Sequence, residues 1–173
     1  AGVRLRTGKT NVISLILNTH DEGYGFISAL IYGISEALSG TPYHLVVAPY
    51  SLSDPMEPVR YIVETKSADG IIISRTERDD PRVRYMQAHG FPFATHGRTE
   101  IEAPHAFYDY DNAEFAKLAI RQLLQKGRRK IALLAPPNSL LYHKHTLAGF
   151  LEGLGQAGLS ANVLDVDIDS NMN

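Results

Sequence analysis

Cysteine is absent from this chain of 173 residues. That absence excludes disulfide bonds, thiolate metal ligands and cysteine nucleophiles. It fits a reducing cytoplasm, although many exported proteins also lack cysteine. No apolar run approaches the roughly 20 residues that span a bilayer, and there is no basic and apolar leader with a cleavage site. Because the chain starts with Ala1 rather than methionine, a leader that was removed stays open as an alternative.

Neither sign of charge dominates the composition. Lysine and arginine total 17, aspartate and glutamate total 19, and the formal net charge is −2. This balance excludes a global basic field that would hold nucleic acid. With 44% apolar and 21% charged residues, the composition is typical of a globular protein. The length allows one domain, or one domain and part of a second.

The segment Gly8-Lys9-Thr10 is similar to the end of a phosphate-binding loop. That motif, G-x-x-x-x-G-K-[ST], requires its first glycine at position 3, where this chain has Val3. It also requires a strand before the loop and a helix after it. Here a strand-like run follows the segment and none precedes it. The sequence therefore argues against a P-loop nucleotide hydrolase.

Short apolar, β-branched runs alternate with helical periodicity along nearly the whole chain. Strands are predicted at 12–18, 44–49, 70–74, 91–95, 130–136 and 163–166, with helices between them. Asp80-Pro81 predicts the start of one helix, and Asp111 with Glu114 predicts a capping box at another. The start of the second helix is ambiguous between Asp54-Pro55 and Pro58.

Repeated strand–helix–strand units predict an α/β fold with a doubly wound parallel sheet. Ligands of such sheets bind beyond the carboxyl ends of the strands. Those ends correspond to five segments of this sequence. The segments are 18–25, 49–53, 74–79, 95–100 and 136–145.

Enzyme and metal chemistry have little support in the residues. There is no G-x-S-x-G elbow and no catalytic motif with paired carboxylates. The pair His143 and His145 lacks a nearby carboxylate with ligand spacing, although the chain has 7 histidines. We therefore predict no catalytic residue, no metal site and no cofactor.

Several segments, taken in order, resemble one known family. They are RLRTGKTNVISLIL, ADGIIIS, FPFATHGR, YDYDNAEFAKLAIRQLLQKGRRKIALL and LAGFLEGLGQAGL. Together they resemble the regulatory part of bacterial repressors of the lactose/galactose repressor (LacI/GalR) family. No single piece is diagnostic, but their order and spacing are fairly specific.

The resemblance implies a periplasmic-binding-protein-like, two-lobed effector domain whose second lobe is truncated. Residues 1–10 would be the remnant of a hinge, 11–128 the N-terminal lobe, and 129–173 the incomplete start of the C-terminal lobe. A helix-turn-helix headpiece would lie before Ala1 and would make the contacts with operator DNA. The strand that returns to complete the first lobe in family members would follow Asn173.

The resemblance also implies a ligand site between the lobes for a small molecule, a sugar or sugar derivative. Phe26 aligns with an aromatic residue that stacks on the ligand, though it also suits the first core position of its helix. Thr146 stands where the family usually has an arginine, which weakens the expected sugar contact there. Arg75 and Arg78 suit either an anionic group on the ligand or solvated loop charges. The predicted ligand-binding residues are Asn18, His20, Tyr24, Phe26, Ser74, His96, Arg98, Asp111 and His143.

In the family the first two helices pair across a homodimer. We predict that Leu30, Ile34, Met56 and Ile62 take part in such an interface, and that this chain is marginally stable unless dimerisation covers its exposed edge. The function implied is that of a cytoplasmic ligand-sensing domain of a repressor, with no membrane partner. The alternative is an exported sugar-binding protein of an ABC transporter, which the basic lead-in from Arg4 to Thr10 disfavours.

Overall fold

The computed structural model describes residues 8–18, 24–50 and 53–169. These residues fall into two compact units, which we present one at a time. The first unit runs through Ser74 and adds Asp79–His96 and Glu102–Phe107. The second comprises Arg75–Arg78, Gly97–Ile101 and the chain from Tyr108 onward.

The first unit is built on a 5-stranded sheet in the order β2-β1-β3-β4-β5. The strands are β1 (Val12–Leu17), β2 (His44–Pro49), β3 (Gly70–Ile73), β4 (Phe93–His96) and β5 (Ala106–Tyr108). β1 pairs in parallel with both β2 and β3, and β3 pairs in parallel with β4. This order and direction confirm the predicted α/β fold with a parallel sheet.

Helices connect these strands, as the sequence predicts. They are α1 (Tyr24–Leu38), α2 (Glu57–Thr65) and α3 (Pro81–Ala88). The side chain of Asp80 accepts a hydrogen bond from the backbone N–H of Arg82, which confirms the predicted N-cap of α3. At α2 the ambiguity resolves toward Pro58, which lies in the first turn, while Asp54 accepts from the N–H of Met56 just before it.

The core of the first unit lies between β1, β3 and the inner faces of α2 and α3. Its fully buried members include Leu15, Ile16, Leu17, Val59, Ile71, Ile73, Val83 and Met86. The continuous apolar run of β1 is covered because strands flank it on both sides and helices pack on the sheet. On the edge strand β2, by contrast, Val46 and Val47 remain exposed.

The segment that resembles a phosphate loop is tied to the protein's own carboxylate. Asp69, just before β3, accepts hydrogen bonds from the N–H and hydroxyl of Thr10 and from the N–H of Asn11, at 2.8 to 2.9 Å. Asn11 adopts a left-handed φ of 57°, which turns these N–H groups toward one acceptor. The backbone donors are thus committed to Asp69, in agreement with the rejection of a phosphate loop.

Asp69 makes stability depend on pH. Its partial burial raises the pKa, but hydrogen bonds from Thr10 and Asn11 and the charge of Lys9 outweigh burial and hold the pKa below the ordinary 3.8. Because folding lowers the pKa of Asp69, its ionised carboxylate stabilises the folded state. This contribution is complete above pH 3.8, the ordinary pKa, and is lost as the pH falls through the pKa of Asp69 in the folded protein. We expect Asp69→Asn to lower the free energy of unfolding by about 1 kcal/mol at neutral pH.

Urea denaturation from neutral to acid pH measures this effect. The difference between Asp69→Asn and the parent should shrink as the pH falls and vanish below the folded pKa of Asp69. A difference that stays constant with pH would mean that the carboxylate charge contributes nothing.

The second unit contains the rest of the regular structure. It holds α4 (Asn112–Gln125), α5 (Leu141–Gln156) and a 2-stranded parallel sheet of β6 (Leu133–Ala135) and β7 (Val163–Asp167). Its core cluster is Ala116, Ile120, Phe150 and Leu154. Asp111 accepts from the N–H of Glu114, as predicted for a cap. The Glu114 carboxylate pairs with Lys117 and Arg121 rather than completing a capping box.

Two elements differ from the predicted pattern. β6 is shorter than predicted because Ile131 packs against the core cluster of the second unit and Leu133 is the first residue to pair with β7. β5 was not predicted, since Ala106–Tyr108 is short and exposed along its length. The lobe boundary after residue 128 stays a prediction. The division into compact units assigns α4, which lies before that boundary, to the same unit as α5.

Candidate functional site

The carboxyl edge of the first unit's sheet is polar and buried. Asn18 follows β1, Ser74 follows β3, and Thr95 lies near the end of β4, with exposed fractions of 0%, 1% and 2%. Because β1, β3 and β4 are neighbours in the sheet, these polar residues end adjacent strands. Buried polar side chains are thus concentrated at the edge where parallel sheets bind ligands, and one of them, Thr95, has its Oγ1 3.2 Å from Nε2 of His105.

Two rings flank this edge. The centroids of the Phe26 and His96 rings lie 5.2 Å apart, with the ring planes inclined at 51°. Phe26 lies in the first turn of α1 and keeps 37% of its surface exposed. The helical periodicity also allowed Phe26 to be a core residue, but this exposure does not fit a core position. An exposed ring face can pack against sugar C–H groups, and an imidazole can both donate and accept hydrogen bonds.

A buried ion pair that the sequence analysis missed supports the same edge. Arg82 donates to the Asp80 carboxylate from Nε at 3.0 Å and from Nη2 at 2.7 Å, and Nη2 also donates to the Ser74 carbonyl at 3.1 Å. The guanidinium carbon lies 5.8 Å from the centroid of the Tyr50 ring. One side chain on α3 therefore reaches the residues that follow β2 and β3.

In the second unit, Arg98 is held by a carboxylate. Its Nε donates to Asp109 at 2.7 Å, and Asn112 donates to the other oxygen of Asp109 at 3.3 Å. The Asp109 side chain is only 6% exposed, whereas that of Arg98 is 41% exposed. Thr76, also buried, donates its hydroxyl to the Arg98 carbonyl at 2.8 Å. Arg98 is thereby fixed both through its side chain and through its backbone.

Gly97 precedes Arg98 with a φ of 107°, and a Cβ added there would lie 2.5 Å from the hydroxyl oxygen of Thr76. We expect Gly97→Ala to cost about 2–3 kcal/mol, because it combines a disfavoured φ with a steric overlap. Thermal denaturation measures the loss. The matched control is Gly158→Ala, which has a φ of 66° but open space around its Cβ. Equal losses in both variants would contradict a role for the Thr76 contact.

The other predicted site residues of the second unit have structural roles. Asp111 caps α4. His143 Nδ1 lies 2.6 Å from the Pro136 carbonyl oxygen, which fixes the ring at the start of α5. Ligand binding by either residue stays a prediction. His20 and the side chain of Tyr24 lie outside the described part of the chain.

The remaining basic residues that follow β3 are ion-paired within the second unit. Arg75 has a left-handed φ of 53° and contacts Asp169 at 2.5 Å. Arg78 contacts Glu100 at 2.9 Å, and Lys144 contacts the other oxygen of Glu100 at 2.6 Å. The hydrogen bond from Lys144 is the main reason that the pKa of Glu100 lies below its ordinary value; the charges of Arg78 and Lys144 add to it.

The predicted dimer residues differ in how much surface they offer. Leu30 and Ile34 on α1 and Met56 before α2 are partly exposed. Ile62 is only 5% exposed and packs inside the first unit, so it offers little surface to a partner. On the same helix, Tyr61 is exposed instead. An interface through these helices stays a prediction.

Among the described residues, no group of three or more histidine, cysteine or acidic side chains could hold a metal ion. Over that same portion of the chain, no helix combines the length and the apolar character that crossing a membrane requires.

A parallel α/β unit with a polar carboxyl edge belongs to the class of doubly wound folds that bind ligands beyond their strand ends. The family described as "Periplasmic binding proteins and sugar binding domain of LacI family" matches residues 10–173 of this chain. The chain therefore belongs to that family, as its sequence motifs indicated.

Relatives agree with this assignment. The chain is 32% identical over 167 residues to the HTH-type transcriptional regulator RafR of Escherichia coli. The alignment covers 93% of this chain and 48% of RafR. The chain spans about half the length of the curated relatives it matches. These relatives are transcriptional regulators rather than enzymes or transport proteins.

Solved structures share the fold. A LacI family transcriptional regulator from Bifidobacterium animalis subsp. lactis superposes with a TM-score of 0.78 and 25% identity, covering 92% of this chain and 58% of that one. A complex of the transcriptional regulator CelR with cellobiose gives a TM-score of 0.79 at 23% identity, covering 98% of this chain and 56% of the other.

Proposed function

We propose that this chain is the ligand-sensing part of a LacI-type transcriptional repressor. It binds a small sugar-like molecule, and binding changes the affinity of a helix-turn-helix segment for operator DNA. The observation that carries the proposal is the polar edge formed by Asn18, Ser74 and Thr95, flanked by the rings of Phe26 and His96. Membership of the family supports it.

The chemistry of this edge suits a hydroxyl-rich ligand. The partly exposed imidazole of His96 can donate or accept a hydrogen bond, which matches the dual character of a sugar hydroxyl. An aromatic face supplies the apolar contact for the sugar's C–H groups. The cellobiose bound by the fold neighbour CelR is a ligand of this kind and supports the choice of saccharides as the first compounds to test.

The regulator relatives favour this role over that of an exported binding protein. A repressor acts where the DNA is, so we place the protein in the cytoplasm. We also propose a homodimer through α1 and α2, supported by the exposed side chains of Tyr32 and Tyr61. Sedimentation that finds only a monomer at micromolar concentration would overturn the dimer.

Ligand binding is tested by a thermal-shift screen with neutral mono- and disaccharides, cellobiose first, followed by calorimetric titration of each hit. We expect Phe26→Ala to weaken binding of a hit by about tenfold or more, because the ring loses its stacking contact. Phe115→Ala is the control, since Phe115 is an exposed ring on α4 outside the strand ends. No hit in the screen, or equal effects of both variants, would contradict the proposed site.

A further inference from the structure

We propose that the turn between α4 and β6 binds the phosphate backbone of duplex DNA, independently of base sequence. Four of its five residues are cations, Lys126, Arg128, Arg129 and Lys130, which we call the basic turn. All four are exposed. The basic turn lies within the second unit and shares no residue with the polar edge of the first unit's sheet.

No carboxylate among the described residues forms an ion pair with the basic turn. Earlier on the same helix, by contrast, Lys117 and Arg121 both pair with Glu114. The sequence gives the reason, because it contains no aspartate or glutamate between Glu114 and Glu152. The four cations of the basic turn are therefore available to an anion from outside the protein.

The neighbouring part of the same sheet edge is uncharged. β6 and β7 run parallel, so both begin at this edge, and the N–H of Leu133 donates to the carbonyl of Asn162 at 2.9 Å. The connection from α5 to β7, residues 157–162, has the sequence AGLSAN without a charged side chain. The acidic residues that give the whole chain its net charge of −2 thus lie elsewhere, and the field at this edge is positive.

The backbone of the basic turn is fixed at both ends. Gly127 has a φ of 74°, its N–H donates to the Leu124 carbonyl at 2.9 Å, and the N–H of Arg128 donates to the Leu123 carbonyl at 3.0 Å. These two bonds form a Schellman motif at the end of α4. After the turn, Ile131 packs against the core cluster of the second unit. Binding does not have to order this backbone, which limits its entropic cost.

Helix capping does not account for all four cations. A cation stabilises the C-terminal end of a helix dipole, but the effect falls off within about one turn. α4 has no basic residue in its last turn, and its C-cap is Lys126. Arg129 and Lys130 lie three and four positions beyond that cap, where the dipole gives little reason for a charge.

The surroundings of the basic turn favour a phosphate backbone over other anionic partners. The guanidinium fork of arginine matches the geometry of phosphate oxygens. Surfaces for single-stranded nucleic acid add aromatic side chains that stack on bases, and protein interfaces are centred on aromatic anchors. The sequence has no aromatic residue between Phe115 and Tyr142, nor in residues 157–162. Duplex DNA needs no such ring, because its phosphates face outward along both strands.

Fluorescence anisotropy with a short labelled DNA duplex of mixed sequence tests the proposal on the parent chain. We expect binding at roughly 20 mM salt, with the logarithm of the association constant falling against that of the salt concentration with a slope of about −3. This slope corresponds to three or four phosphate contacts, each of which releases a condensed counter-ion. Absence of binding at low salt, or binding that does not change with salt, would overturn the proposal.

A pair of matched variants locates the contact. Arg128→Gln/Arg129→Gln should weaken duplex binding by at least about tenfold at low salt and reduce the salt slope by about 2. Arg60→Gln/Arg84→Gln removes the same charge from two arginines of the first unit that are paired with aspartates, and should weaken binding less than about threefold. Urea midpoints equal to that of the parent show that both variants are folded.

Two results would contradict this assignment. Equal weakening by both variants would mean that net charge, rather than the basic turn, holds the duplex. Tighter binding of a labelled single strand or of polyglutamate than of the duplex would mean that the surface serves a different class of partner.

Discussion

Replacing Gly149 with alanine is expected to destabilise the second unit by about 3–5 kcal/mol, a large fraction of the stability of an ordinary domain. A Cβ at Gly149 would lie 2.1 Å from the carbonyl oxygen of Ala113 and 2.7 Å from its carbonyl carbon. These are backbone atoms of α4, so no side-chain rotation relieves the overlap. The helices α4 and α5 would have to separate, and the core of Phe150 and Leu154 would open with them.

Two other glycines of α5 give a graded control for this prediction. A Cβ at Gly153 would lie 3.2 Å from the Ile120 side chain, which can shift by a few tenths of an ångström, so Gly153→Ala should cost less. Gly155 has nothing within 4 Å, and Gly155→Ala should stabilise the helix by about 0.5–1 kcal/mol. Circular dichroism during urea unfolding measures the series. The close approach of the helices would be contradicted if Gly149→Ala had the same urea midpoint as the parent and the three variants did not differ in the predicted order of stability.

Replacing Asp80 with alanine is expected to cost about 3–5 kcal/mol in the first unit, because it leaves the buried Arg82 guanidinium without its counter-ion. The substitution also removes the N-cap of α3. The double variant Asp80→Ala/Arg82→Met should recover part of the loss, since it removes the buried charge as well. Urea denaturation of both variants measures the recovery.

The neighbouring Asp79 provides the control. Asp79 and Arg84 form an ion pair whose side chains are 63% and 60% exposed, so Asp79→Ala should leave the unfolding midpoint nearly unchanged. If Asp79→Ala and Asp80→Ala were equally harmful, burial of the charge would not be the cause.

The fold could be predicted from the sequence where the pattern is continuous and local. The unbroken apolar run from Val12 to Leu17 predicts a strand covered on both faces, and the caps at Asp80 and Asp111 fix where two helices begin. β5 could not be predicted, since a three-residue exposed strand depends on pairing rather than on its own composition.

The site could be predicted only in part. The rule for parallel sheets locates Asn18, Ser74 and His96 at the carboxyl edge, because strand ends can be recognised from the sequence. The Asp80–Arg82 pair was missed because an aspartate two residues before an arginine at a helix start has the composition of a solvated surface turn. Only the packing of α3 against the sheet shows that these charges are buried.

The two ends of β1 are held in different ways, and this has a mechanical consequence. At the amino end, Thr10 and Asn11 are fastened to Asp69; at the other end lies the buried Asn18. The 6 residues between them, laddered to β2 and β3, span roughly 20 Å. Because the ladders on both sides of β1 resist local bending, we expect a small displacement at Asn18 to be passed along the strand toward Thr10. We therefore expect the sheet to carry a displacement from one of its edges to the other as a change of position rather than of conformation.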